Sequence, residues 1–375
     1  MSRLALIGDI GGHLDQLTEA LLSLGADPDK GLLPAGLTVI QVGDLVHRGP
    51  DSAGVVALVD RFLTNDPTCW VQLMGNHEAC HLGQDLFPHD ELDPETEATL
   101  VRWEAAGLLR LAVALDTPTG PLLISHAGLT HQLWKQLGSP ATATAAVDSL
   151  QERPDLARRS GRMLAATPGT GGVLWAEAGH ELYLSWLRLE QGGGNAPFGQ
   201  IHGHSSAYRW ASRRPTAPND IADRLELDEP RRHVHLTLAH QAFTGIDPGF
   251  GRHAHNHWAP LEKEGHLAPE HLTPDQARVV AACISQSDDV HEVTRILLAL
   301  MDWFPTTDWL DLVTLGPRDP QTYRDFAHET YQPSESWSLG PEDPWAEIRA
   351  SLRTAELVDC RERQRRRGET EAGAS

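Results

Sequence analysis

The sequence predicts an α/β protein in which mixed β-sheets are flanked by helices, followed by a mostly helical C-terminal extension. Three observations predict this. Apolar strand, tight polar loop and amphipathic helix follow one another twice before residue 66. Further short apolar runs, each halted by polar residues beside glycine, recur as far as residue 204. Beyond about residue 270 the apolar spacing becomes mostly helical, most clearly over 290–303.

Residues 4–7 form the first strand, which stops at Gly8-Asp9, and 14–24 repeat apolar positions at helical spacing. Residues 38–42 form the second, ending at Gly43-Asp44, and Pro50 and Asp51 can start a helix over 51–63. A third strand, 69–74, runs into Gly75-Asn76-His77-Glu78. A fourth, 122–124, runs into Ser125-His126-Ala127-Gly128. Between these two, 95–110 is helical and 111–115 reads as a further strand. A largely helical insert covers about 130–190, with a Gly/Pro break at 168–172. A fifth strand end falls at 200–204. The Arg- and Pro-rich stretch 209–232 reads as an exposed loop, and 234–238 and 242–246 as a strand pair. The domain reading is therefore a core over 1–260, a helical extension over 261–360, and a disordered tail over 361–375.

Composition excludes several function classes. The 52 acidic against 31 basic residues give a formal net charge of -21, which repels a nucleic-acid backbone. Four scattered cysteines without a CxxC pair fit a reducing cytoplasm and no thiolate-rich site. Nor does any apolar run approach the roughly 18 residues that span a bilayer. The expected partners are therefore neither nucleic acid nor membrane.

The strand ends carry the chemistry. Asp9, Asp44, Asn76, His126 and His204 each close an apolar strand, and four of the five directly follow glycine. In open α/β sheets ligands bind at the carboxyl ends of strands. Hard oxygens and imidazoles gathered there, one carboxylate among them able to bridge, are what two divalent ions need.

The blocks GDIGGHLDQL, VGDLVHRGPDS, LMGNHEA, SHAG and HGHSSA resemble, in order, those of the calcineurin-like metallophosphoesterases. The likeness is to the phosphoprotein-phosphatase branch with its bacterial and diadenosine-tetraphosphatase-like relatives. It covers about residues 3–250, including GIDPGFG at 245–251. The resemblance implies a sandwich of mixed sheets and two divalent ions (manganese, iron, zinc, nickel or cobalt, with manganese the first choice in vitro). It implies that Asp44 bridges them, that Asn76, His126 and His204 complete one site, and that Asp9 serves the other. It further implies that His77 donates a proton to the leaving oxygen and that Arg48 holds phosphoryl oxygens. The reaction implied is hydrolysis of phosphomonoesters, on a phosphorylated protein or a small molecule, by direct attack of metal-activated hydroxide.

Two positions depart from the pattern. Gly11 stands where the family places a histidine ligand of the first ion, leaving that site weak, water-filled or completed by His13. His47 stands where the family has an aspartate that orients the catalytic histidine. If His47 meets His77, it accepts a hydrogen bond only when neutral, so activity is expected to fall towards acid pH. These departures keep open a metal-binding pseudoenzyme or regulatory domain, and a dinucleoside polyphosphate or phosphodiester hydrolase. Elsewhere His233 and His235 alternate, which reads as a solvated strand face. His253, His255 and His257 also alternate, in a glycine-rich loop.

Overall fold

Residues 2–7 are a run whose last four side chains are fully inaccessible, and they form the central strand β1 (Ser2–Ile7). Parallel to it lie β2 (Leu37–Gln41), β3 (Trp70–Leu73) and β4 (Leu109–Arg110). Right-handed crossovers through helices are the usual way to connect parallel strands, and α1 (Leu14–Ser23) and α2 (Ser52–Asn65) occupy the first two connections. α1 buries Leu17, Ala20 and Leu21, and α2 buries Val55, Val56, Val59 and Phe62, so both present a stripe at helical spacing. α3 (Asn76–His81) and α4 (Pro94–Ala105) follow β3.

This computed structural model describes residues 2–65, 69–84, 86–164, 171–253 and 258–268. Apart from 105–107 these belong to one unit. Its second half pairs β5 (Ala112–Thr117) and β6 (Gly120–Ser125) as a hairpin. β7 (Gly199–His202) runs parallel to β6. A two-stranded ribbon, β8 (Tyr208–Arg209) with β9 (Arg214–Pro215), precedes β10 (Glu226–Asp228). β11 (His233–Leu238) and β12 (Gln241–Gly245) form a second hairpin, with β12 parallel to β7. β13 (Leu261–Leu267) then lies antiparallel to both β1 and β5 and joins the two halves into one ladder of order β10-β11-β12-β7-β6-β5-β13-β1-β2-β3-β4.

The ladder is folded into a sandwich. Leu4, Leu6, Ile40 and Leu73 from one half share a single buried cluster with Val113, Leu122, Ile124 and Ile201 from the other. On the outer face of the first half, Ile7, Val39 and Trp70 pack with residues of α1, α2 and α4. On the outer face of the second half, α5 (His131–Gln136), α6 (Ala143–Glu152) and α7 (Pro154–Ala157) cover β5 and β6. α8 (Leu184–Gln191), extended at its start by the π-helical turn Ala178–Tyr183, covers β11 and β12. Each fully buried Leu, Ile, Val or Phe contributes about 1.5–3 kcal/mol, so three stacked apolar layers fix the positions of the strand ends.

Two expectations are corrected. The stretch 209–232 is not a bare loop: it holds β9, β10 and a turn of helix at Asn219–Ala222, whose Ile221 is fully buried in the layer under α8. The region from 261 does not open as helix, because 261–267 alternate in burial and supply the strand at the sheet's seam. Its Glu262 meets Arg3 of β1 at 2.7 Å. The rest of the expected helical extension, including 290–303, and the tail 361–375 lie outside the described residues, as do 165–170 of the Gly/Pro break.

Candidate metal centre

Four strand ends deliver their polar residues to one buried point. His126 follows β6 and is fully inaccessible, and its Nδ1–H donates to the carbonyl of Val42 at 2.9 Å. That bond leaves Nε2 as a lone pair, yet Nε2 faces Asn76 Oδ1 at 3.0 Å and Asp44 Oδ1 at 3.3 Å. Three acceptors therefore converge. Asn76 Oδ1 also lies 2.8 Å from His204 Nδ1. His204 Nε2 and Asp44 Oδ2 are buried with no hydrogen-bond partner. One ligand atom from each of Asp44, His126 and His204 lies within 4.8 Å of the others. Acceptors turned on one another, with Asp44 Oδ2 and His204 Nε2 left unsatisfied, fit a divalent cation held by oxygen and imidazole, with a backbone carbonyl fixing the tautomer of one ligand.

The backbone is bent to achieve this. Asp44, His47, Arg48 and His204 all have φ between 56° and 72°, the left-handed region that costs a non-glycine residue about 1–3 kcal/mol. Glu78 holds the 44–46 loop in this shape. It is fully buried and accepts from the amides of Asp44 (2.9 Å), Leu45 (2.8 Å) and Gly75 (2.8 Å). Burial, then the Asp44 charge, pushes its carboxyl up to about 7. Burial also pushes Asp44 up, but the imidazoles of His77, His126 and His204 and the Arg48 guanidinium together hold it below the usual carboxylate range. Two glycines are obligatory: a Cβ at Gly75 would run into Asp44 Oδ1, and one at Gly203 into Asp9 Oδ1.

Asp9 is buried beside this cluster and accepts from the His204 amide at 3.0 Å. Burial, then the charges of Asp247 and Asp44, raises its carboxyl well above the ordinary value. Asp247 is the residue the sequence reading passed over. It follows β12 as Asp9 follows β1, the backbones of Gly8 and Ile246 approach closely, and the Asp247 charge acts on Asp9. Asp247 is buried, and its Oδ1 accepts from the Gly249 amide at 2.7 Å. The missed signal was the block GIDPGFG, in which an acid again terminates an apolar strand.

Gly11 plays a backbone part instead. Its amide donates to Asp44 O at 2.8 Å and its carbonyl accepts from the Gly49 amide at 2.8 Å, knitting the first loop to the second. His13, expected as a replacement ligand, is directed elsewhere: its Nε2–H donates to the Gly251 carbonyl at 2.8 Å and its ring stands edge-on to Phe250. It does not join the Asp44–His126–His204 group.

His77 and His47 do meet. Arg48 Nη2 donates to His77 Nε2 at 3.0 Å, which puts the His77 proton on Nδ1. That Nδ1 lies 2.8 Å from His47 Nδ1, His47 Nε2 lies 2.8 Å from His81 Nε2, and His81 Nδ1 lies 3.3 Å from Glu97 Oε1. A single set of tautomers satisfies every link, with each donor pointing from His77 towards Glu97. His81 is four residues after His77 on α3, so both imidazoles share a helix face. Phe87 stands edge-on to His77 (5.1 Å) and to Trp175 (5.6 Å), and Trp175 lies 6.1 Å from His204, giving the site an aromatic wall. Glu177, after Trp175, accepts from the amides of Gly179 and His180 and caps the π-helical turn.

The expected acid sensitivity through His47 is revised. Burial, then the charges of His77, His81 and His89, lowers His47 to about 3. It stays a neutral acceptor across the range in which histidine ordinarily titrates. Burial likewise takes His77 down to about 4. In His47→Asp a carboxylate beside His77 favours its imidazolium. The pH–rate profile of this variant is therefore expected to match the parent's on the acid side, with its alkaline limb displaced upward by about one unit or more. Coincident alkaline limbs would show that residue 47 does not govern His77.

Residues 2–161 match the family model described as calcineurin-like phosphoesterase. Over these residues the chain has a calcineurin-like phosphoesterase domain. The chain is 32% identical over 136 residues to proteins called symmetrical bis(5'-nucleosyl)-tetraphosphatase from Yersinia pestis (strain Pestoides F) and Yersinia pseudotuberculosis serotype O:1b (strain IP 31758). The match takes in 34% of this chain and 42% of each relative, so it spans less than half of their length. Among solved structures, a cold-active protein-tyrosine phosphatase of a psychrophilic Shewanella species is similar at 17% identity and TM-score 0.38, over 66% of this chain and 72% of that one. A metallophosphoesterase from Sphaerobacter thermophilus is similar at 17% identity and TM-score 0.33, over 76% and 95%.

Proposed function

We propose that the protein is a metal-dependent phosphoesterase acting on phosphomonoesters, either a phosphorylated protein side chain or a small molecule. The observation that carries this reading is the convergence of His126 Nε2, Asn76 Oδ1 and Asp44 on a buried point, with Asp44 Oδ2 and His204 Nε2 unsatisfied. Asp44, Asn76, His126 and His204 would hold one ion, and Asp9, with Asp44 and Asp247 acting on its charge, would offer carboxylate to a second. When bound, divalent ions acidify water and offset phosphoryl charge.

The chain's own groups complete the reaction, an in-line displacement with no covalent enzyme intermediate. Hydroxide forms the new P–O bond as the bond to the leaving oxygen breaks. Arg48, exposed at the site's rim, offers a planar fork to two phosphoryl oxygens. A dianionic phosphoryl group beside His77 raises its proton affinity from the low value set by burial, so His77 arrives protonated at Nε2 and gives that proton to the leaving oxygen. His47 receives the His77 Nδ1–H and aims the ring.

The test is the initial rate of aryl-phosphate hydrolysis after chelation and again after manganese is added. A rate that vanishes on chelation and returns with manganese is expected. No hydrolysis with manganese present sinks the phosphomonoesterase reading. The 32% match to bis(5'-nucleosyl)-tetraphosphatases favours one second reading, hydrolysis of a dinucleoside tetraphosphate, and that substrate belongs in the same assay.

A further inference from the structure

The edge of the sheet remote from β1 carries another convergence of metal-binding side chains. Alternation along β11 puts His233 and His235 on one face, and the register sets Asp228 of β10 opposite His233. One ligand atom of each of the three lies within 4.8 Å of the other two. The imidazoles stand nearly perpendicular, at 84° with centroids 6.1 Å apart, so they do not stack.

The tautomer of His233 is settled by its surroundings. The side chain is 2% exposed, and its Nε2–H donates to the Ala259 carbonyl at 2.9 Å. Nδ1 is therefore a bare lone pair, and that atom is buried without a partner. A solvated strand face, the reading the sequence favoured, does not explain a buried acceptor left unsatisfied. His235 Nδ1 lies 3.1 Å from Thr244 Oγ1, an acceptor for its proton that frees Nε2. An imidazole with one nitrogen tied to a carbonyl or hydroxyl and the other bare, as in His233, is a prepared ligand.

Asp228 Oδ2 accepts from Arg231 Nη1 at 2.9 Å and Oδ1 from the Arg231 amide at 3.2 Å. The Arg231 side chain is 57% exposed, and an ion pair so open to water contributes little. Asp228 and His235 are both half-buried, which leaves a path for an ion.

We propose that Asp228, His233 and His235 form a structural zinc site, distinct from the phosphoesterase centre, that ties the short edge strand β10 to β11. Two imidazoles and one carboxylate suit zinc, with water completing the shell. The ion pins a strand of three residues to the rest of the sheet.

The test counts zinc and does not depend on catalysis. Full-length protein is chelated, equilibrated with zinc, desalted and assayed for bound metal. His235→Gln and Asp228→Asn alter the accessible rim, and His204→Ala alters the other centre. His235→Gln and Asp228→Asn are each expected to retain about one zinc per chain fewer than the parent. In the His204→Ala background, zinc is expected to raise the melting temperature, and adding His235→Gln to abolish that rise. Equal zinc content in the parent, His235→Gln and Asp228→Asn overturns the proposal, whatever the hydrolytic assays show.

Discussion

Asp44→Asn is expected to lower manganese-dependent aryl-phosphate hydrolysis by about a thousandfold or more, equivalent to about 4 kcal/mol of transition-state stabilisation. Asparagine matches aspartate in size but removes the charge that His77, His126, His204 and Arg48 surround. Asp44 Oδ2, the buried oxygen without a partner, becomes an amide or a neutral carbonyl. The main-chain arrangement is expected to survive, because Glu78 holds the loop through the amides of Asp44 and Leu45, and an asparagine carbonyl can still accept from the His77 amide as Asp44 Oδ1 does at 3.0 Å. Bound metal measured beside the rate separates loss of the ion from loss of the fold. A variant that keeps its full rate would exclude Asp44 from the metal centre.

His77→Ala is expected to reduce kcat by about 10²–10⁴-fold while metal content stays at the parent's level. His77 meets Asp44 Oδ2 only at 3.7 Å and stands outside the convergence of Asp44, His126 and His204. The role proposed for it is to deliver a proton, so the defect should depend on the leaving group. An aryl oxide of low pKa needs little protonation and should show the smaller loss. An alkoxide from a serine-like ester should show the larger. Equal losses on the two substrates would argue that His77 positions the phosphoryl group and does not protonate the leaving oxygen.

Much of this centre is legible along the chain because each ligand type is announced locally. Asp9, Asp44, Asn76 and His204 follow glycines at the ends of apolar runs. That glycine is needed where a Cβ would collide with a neighbouring carboxylate, as at Gly75 and Gly203. His126 is announced by the run that becomes β6.

Residues whose role depends on a distant partner are not announced. His13 is in reach of the ligands by sequence, but its ring nitrogen goes to a carbonyl 238 residues away. Asp247 reaches Asp9 only because β12 runs parallel to β7 and the Ile246 backbone closes on Gly8. The acidity of His47 followed from burial, which no neighbour in sequence reveals.

The sequence by itself determined the α/β order and the strand ends that carry the candidate ligands, because those features are set by residue type and by periods of two and 3.6, while the family resemblance marked the departures at Gly11 and His47. Tertiary structure alone decided the seam strand β13, whose polar-rich LEKEGHL becomes a strand by filling the slot between β1 and β5. It also decided the His77–His47–His81–Glu97 chain, which needs α3 and α4 to bring His81 to Glu97. The physical reason is common to both: backbone pairing and desolvation act between residues that meet only after the chain has folded.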